Sequence, residues 1–149
     1  MDSLIFHGYC YGTAIWYALR GACRVYDPEM VIGWFRPPIQ SHFVPNDLER
    51  YTIKTDAWGL ISLALLLVTL SIYASQTSAG FRRAAVLVTV MHHVTTGIGA
   101  WDHYKMDSHF NTSMGIGVWA NVWLTLVGLA ATAVMPGTRE GRTLDKKVR

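Results

Sequence analysis

Charge is scarce in this chain. Only 15% of its 149 residues are Asp, Glu, Lys or Arg, against about 25% in a soluble domain. The deficit is uneven, because four long stretches carry no formal charge at all. Cysteine is almost absent as well. Cys10 and Cys23 stand at no metal-ligand spacing, so neither a disulfide framework nor a cysteine metal site is expected. On one helix they would lie about 20 Å apart, beyond the reach of a bridge unless the chain folds back after Gly21. CxxC, HExxH, GxSxG, the P-loop and the dinucleotide fingerprint are all missing. These absences leave acid–base chemistry by carboxylate and imidazole, with no metal and no cofactor. The net charge of +3 gathers in the final segment. Such a tail reads as a membrane-side anchor rather than a nucleic-acid surface.

What is present is apolar sequence of membrane-spanning length. The first stretch, 3–19, is rich in Tyr, Gly and Trp. It is the weakest of the four, since a span needs about 20 apolar residues. It lacks the positive leader of a cleaved signal peptide and reads instead as a retained helix. The second, 57–75, is centred on LISLALLLVTL. The third covers 84–103 and contains His92 and His93. The fourth covers 112–135, and Pro136-Gly137 stops it. A water-soluble bundle would need a polar face on each helix, and the second stretch has none. The expectation is a single all-α membrane domain over 1–149, a four-transmembrane-helix antiparallel bundle. Helices two, three and four are expected to be sequential neighbours.

Between the first two spans, residues 20–56 hold most of the prolines and many charges, yet also MVIGWF and HFV. This segment reads as a structured extramembrane cap with a short interfacial helix. Trp34, Phe35 and Phe43 would sit at headgroup level. Residues 136–149 form the tail. Seven Lys and Arg fall on the side of Arg82, Arg83 and the tail, six on the other, and seven of the ten acids join the six. The first group is denser, so both termini are placed in the cytoplasm, with the endoplasmic reticulum as the membrane. Asn111-Thr112-Ser113 is then a lumenal glycosylation triplet, set too close to the membrane to be used.

Ionisable residues inside a span point to function. On the third helix His92, Thr96, Gly99 and His103 recur at three- and four-residue steps and share a face, with Asp102 beside them. The stripe runs for about 16 Å. His93 points about 100° away from His92. The bland alternative is that either histidine bonds a neighbouring helix. On the fourth helix Gly117, Asn121, Thr125, Gly128 and Thr132 share a face, most simply as close packing with Asn121 as interhelical glue. Asp56 opens the second helix, as a cap or as a site residue. Antiparallel topology brings Asp56, Asp102 and His103 to one end. The expected site is a pocket with those three at its mouth and Thr96, His92 and Asn121 at its floor. Asp56, Asp102, His103 and His92 are the candidate catalytic groups; Asn121, Thr96, His93 and Trp101 are the candidate substrate contacts.

The runs TDAWGLISLALLLV and FRRAAVLVTVMHHVTTGIGAWDHY, with Asp56 opening one helix and Asp102 closing the next, carry a resemblance. The chain resembles an uncharacterised family of small four-helix membrane proteins common in fungi. Some of these are encoded beside polyketide or terpenoid pathway genes. The resemblance covers about two-thirds of the chain and implies an enzyme that isomerises, cyclises or hydrolyses an apolar intermediate, for instance by epoxide opening. Its partners would be an apolar small molecule, the bilayer and possible further copies of itself. A non-catalytic lipid-binding or assembly protein is the alternative. A b-type haem protein pairing His7 with His92 is a lesser one, because their depths differ by about 10 Å.

Overall fold

The computed structural model describes residues 2–109 and 111–135. The tail and the Pro136-Gly137 stop lie outside the described residues. Among those described the protein is all-α, with five helices: α1 (Asp2–Tyr26), α2 (Pro28–Phe35), α3 (Asp47–Ile72), α4 (Ala79–Tyr104) and α5 (Thr112–Val134). Three of them, α3, α4 and α5, are long and apolar enough to cross a membrane. Only 28%, 22% and 33% of their apolar windows is buried inside the protein. Most of that apolar surface therefore faces outward, as a lipid environment requires and water would penalise.

Each boundary has a local cause. α1 runs seven residues beyond the expected 3–19, since nothing between Arg20 and Tyr26 breaks a helix. Pro28 then forces the chain out of the α conformation at Asp27. The Asp27 carboxylate accepts from the Met30 N–H at 2.9 Å and starts α2. α3 begins ten residues before the expected Ala57. Asn46 and Glu49 form a reciprocal capping box, with bonds of 2.9 and 2.8 Å. The cap expected over 20–56 is thus smaller than its sequence. It consists of α2, a 3-10 turn at Pro38–Gln40 and the ends of two longer helices. Arg36 clamps it: its guanidinium pairs with Glu49 at 2.6 Å and donates to the Phe43 carbonyl. Ser78 caps α4 through the Phe81 N–H, and Asn111 caps α5 through the Met114 N–H.

The helix pairing departs from sequence order. α1 packs along α3, and α4 packs along α5, each pair antiparallel; α3 and α4 barely touch. α1 lies between its partner and the α4–α5 pair. The reason is its inward stripe, Phe6, Tyr9, Cys10, Thr13, Tyr17 and Arg24, all buried. No other helix has such a row of large inward side chains. At Gly21 a Cβ would meet Ile61 Cγ1 at 2.7 Å and the Ala57 carbonyl at 3.1 Å, so α1 and α3 cross closely there. At Gly128 a Cβ would collide with Val90 and stand 3.0 Å from the Tyr9 hydroxyl, where α5, α4 and α1 converge. Cys10 and Cys23 are both free on the one uninterrupted helix.

Candidate functional site: a cationic cavity beneath the cap

Tyr9 donates to Thr89 Oγ1 at 2.7 Å, since the Thr89 hydroxyl is itself committed to the Val86 carbonyl. Two turns further along α1, the Tyr17 phenol lies 3.0 Å from His93 Nε2. His93 Nδ1 lies 3.2 Å from Asn121 Oδ1. Asn121 Nδ2 donates to the Gly117 carbonyl at 2.8 Å, so Oδ1 is the acceptor. The bonding therefore assigns the proton of neutral His93 to Nδ1, and Tyr17 donates to Nε2. The Thr96 hydroxyl shares its proton between the His92 carbonyl at 2.7 Å and Asn121 Oδ1 at 3.1 Å. Tyr17 and His93 are wholly buried and Asn121 is 4% exposed. This chain of polar groups joins α1, α4 and α5.

Above it, on the cap side, lies a cavity of about 460 Å³. Its walls come from four helices. α1 contributes Trp16, Arg20 and Arg24, and α2 contributes Trp34 and Phe35. α4 contributes Thr96, Gly99 and His103, and α5 contributes Ser113, Gly117 and Asn121. His109, from the connection between α4 and α5, completes the rim. The position of α2 over the cavity is fixed by the Asn111 amide, which donates to the Trp34 carbonyl at 3.3 Å. Asn111 thus spends both ends of its side chain inside the protein, on this bond and on the α5 cap.

His103 Nδ1 lies 3.0 Å from the Gly99 carbonyl, so the ring donates there and Nε2 of the neutral ring carries no proton. The His109 ring stands edge-on to His103, with centroids 5.7 Å apart. Arg24 is 3% exposed. Its Nε is 2.6 Å from Asp56 Oδ2, although the N–H does not point at that oxygen, and its Nη1 donates to the Arg20 carbonyl at 3.0 Å. The guanidinium of Arg20 lies over the Trp16 ring, 5.9 Å from its centroid. Arg20 has no ion-pair partner among the described residues.

The cavity brings together Thr96, His103 and Asn121 of the expected site, beneath a cap that helps to form it. It does not bring in the two aspartates. Asp56 is turned to Arg24 on the α3 side, and Asp102 pairs with Lys105 at 2.8 Å on the outer face; both are half exposed. Arg24 holds the first and an i,i+3 neighbour holds the second. Neither lines the cavity. His92 is also off its wall, half-buried with its ring edge-on to Tyr17 at 5.6 Å. His93 and Trp101 line a different feature, an apolar groove of about 370 Å³ between α4 and α5, with Ile98 and Trp119. His7 lies against Ser71 at 2.6 Å, and neither His7 nor His92 lines the cavity beneath the cap. No group of three or more His, Cys, Asp or Glu able to hold a metal occurs among the described residues.

Sequence reasoning missed Tyr17, Arg20, Arg24 and Trp16. Tyr9, Thr13, Tyr17, Gly21 and Arg24 recur at three- and four-residue steps, so the stripe was readable once the first helix extended past Leu19. Residues 9–146 match the family model described as Domain of unknown function (DUF8792). No curated protein and no solved structure matches the chain.

Proposed function

The chain belongs to the DUF8792 family, and from its cavity we propose that it is a membrane-embedded acid–base enzyme acting on an apolar small molecule, of the isomerase or cyclase type. One observation carries the reading: an imidazole oriented by the Gly99 carbonyl and two guanidinium groups line the same cavity. The volume suits a compact ligand. Trp34 and Phe35 offer it apolar faces. Arg20 and Arg24 hold its oxygen-bearing end. His103 Nε2 takes a proton from a carbon conjugated with that end, and the electron pair moves towards the oxygen, where the arginines stabilise it. The imidazolium returns the proton at a second carbon and a double bond has shifted. If the carbanion instead attacks an internal epoxide, a ring closes and the imidazolium protonates the alkoxide. Asp56 then serves by holding Arg24 in place.

In this reading α1 is a fourth span. Its Leu4, Ile15 and Leu19 face outward like the apolar residues of the other three. The termini are cytoplasmic and the membrane is that of the endoplasmic reticulum, with the cap on the lumenal side; a C-terminus protected from protease in sealed microsomes would refute this. The apolar groove at Trp101 and Trp119 favours a second reading, a non-catalytic lipid-binding subunit.

Co-expression with the neighbouring genes in a heterologous host, followed by metabolite profiling, separates the two. The intact gene is expected to yield a product that disappears with His103→Asn. Full product from a folded His103→Asn variant would refute the mechanism. No product at all from an expressed native protein, supplied with a convertible intermediate, favours the second reading.

A further inference from the structure

We infer that the ligand of this cavity, though apolar in its body, carries one acid group that enters already ionised, its oxyanion received by Arg20 and the Trp16 indole N–H. The inference rests on the cavity being the ligand site. Three observations converge on it. The first is the charge balance of the wall. Arg20 and Arg24 both line the cavity, no carboxylate does, and Asp56 pairs directly with Arg24, reaching Arg20 only through its longer-range charge. One positive charge is left over at a half-buried position, where an unpaired cation is costly.

The second is an orphan donor. Trp16 lines the cavity and its Nε1 is shielded from solvent, yet the N–H meets no acceptor. Buried donors almost always have one. The third is that these two groups are neighbours, since Arg20 lies over the Trp16 ring. A guanidinium and an indole N–H side by side both donate, and what satisfies them together is a group that only accepts. An ionised carboxylate does so with two oxygens. An alcohol or amine would bring its own hydrogen against the surplus charge.

The rest of the wall describes the body of the acid. Trp34 and Phe35 present aromatic faces, and Arg24 lies 5.8 Å from the Phe35 ring centroid. A flat or alicyclic body packs against these rings, with its charged head towards Arg20. Free acids and acyl lipids share this head; the aromatic wall favours a ring-bearing acid over a flexible acyl chain, and a palmitate probe distinguishes the two.

The test uses the full chain in nanodiscs of neutral phosphatidylcholine, with 2-naphthoate, its methyl ester and palmitate as probes and tryptophan fluorescence as the readout. Naphthoate is expected to bind at least about tenfold more tightly than the ester, the range of a charge-assisted bond. Palmitate should compete poorly. Arg20→Gln should abolish the preference and Arg20→Lys should keep part of it. Trp16→Phe, which retains the ring but loses the N–H, should weaken naphthoate and leave the ester unchanged. If Arg20→Gln fails to fold, raising salt on the native protein should weaken naphthoate alone. Equal binding of acid and ester, or a preference that survives in folded Arg20→Gln, overturns the inference. Palmitate binding more tightly than naphthoate overturns the small-acid assignment. Loss of product in His103→Asn without acid preference would leave the enzyme reading standing and remove this one. Acid preference with full product in His103→Asn would do the reverse.

Discussion

Replacing Asn121 by leucine asks whether the Tyr17–His93–Asn121 chain holds three helices together. Asn121 Oδ1 accepts from His93 at 3.2 Å and from Thr96 at 3.1 Å, and Nδ2 donates to the Gly117 carbonyl at 2.8 Å. Side-chain hydrogen bonds inside membrane proteins average about 0.6 kcal/mol, so three amount to about 2 kcal/mol. His93 is wholly buried, and its Nδ1–H loses its acceptor without gaining water. An orphaned buried donor costs about 1–3 kcal/mol. The two terms overlap in the His93 bond, which leaves about 2–4 kcal/mol. Leucine is the suitable replacement because it is not branched at Cβ, where Gly97 approaches closely. The assay is reversible unfolding in mixed micelles, titrated with dodecyl sulfate and followed by circular dichroism. Tyr17→Phe removes the donor on the other side of the same imidazole. The double variant should therefore lose less than the sum of the singles, with a coupling of at least about 0.5 kcal/mol. A folded Asn121→Leu protein within about 0.5 kcal/mol of the native one, the range of an idle surface substitution, would refute the chain as a structural element.

Three further outcomes follow from the same geometry. Gly128→Ala should destabilise by about 1–3 kcal/mol, because the added methyl meets Val90 and the Tyr9 hydroxyl; Gly12→Ala, which meets nothing within 4 Å, should not, and equal melting temperatures for the two would contradict the three-helix junction. Asp56→Asn strips buried Arg24 of its charge partner and should cost about 1–3 kcal/mol, less than a fully buried pair, since Asp56 is half exposed; turnover per folded molecule should survive in part, and its complete loss without destabilisation would return Asp56 to the chemistry. In the cap, ahead of the apolar part of α3, the Arg36 guanidinium and then the Asn46 backbone N–H hold the Glu49 carboxyl below its ordinary value of 4.5. A lowered pKa contributes stability that is full above the unfolded value and is lost as pH falls through the folded one. Amide exchange across residues 36–49 should therefore quicken as pH drops below about 4.5, once corrected for intrinsic rates, and unchanged protection would refute the clamp.

The parts of this fold that were legible are those for which length and composition suffice. The apolar runs of α3, α4 and α5 and the short helix in the segment ahead of α3 follow from where charge and proline are absent or present. The phase of each helix was not legible. In water the buried face announces itself because the other face is polar. Here Met91, Val94, Ile98, Trp119 and Trp123 face outward and are as apolar as the core, so apolar pattern does not tell inside from outside. Only polar residues carry phase, and α4 offers two candidate stripes one position apart: His92, Thr96, Gly99 and His103, or Thr89, His93 and Thr96. The structure buries Thr89 and His93 of the second and leaves their partners to decide, since Tyr9 and Tyr17 of α1 stand opposite them. Those partners lie 76 and 80 residues away in the chain, in the helix with the weakest spanning signal. A long polar side chain on a poorly apolar helix is thus the feature that sets the register of its more apolar neighbours. The same logic accounts for the arginines. Arg20 and Arg24 fall outside the first apolar run and so resemble loop charges, but the helix carries them on for another turn and a half and turns both towards the cavity. A charge just beyond an apolar run is therefore better judged by which face it continues than by the fact that it ends the run.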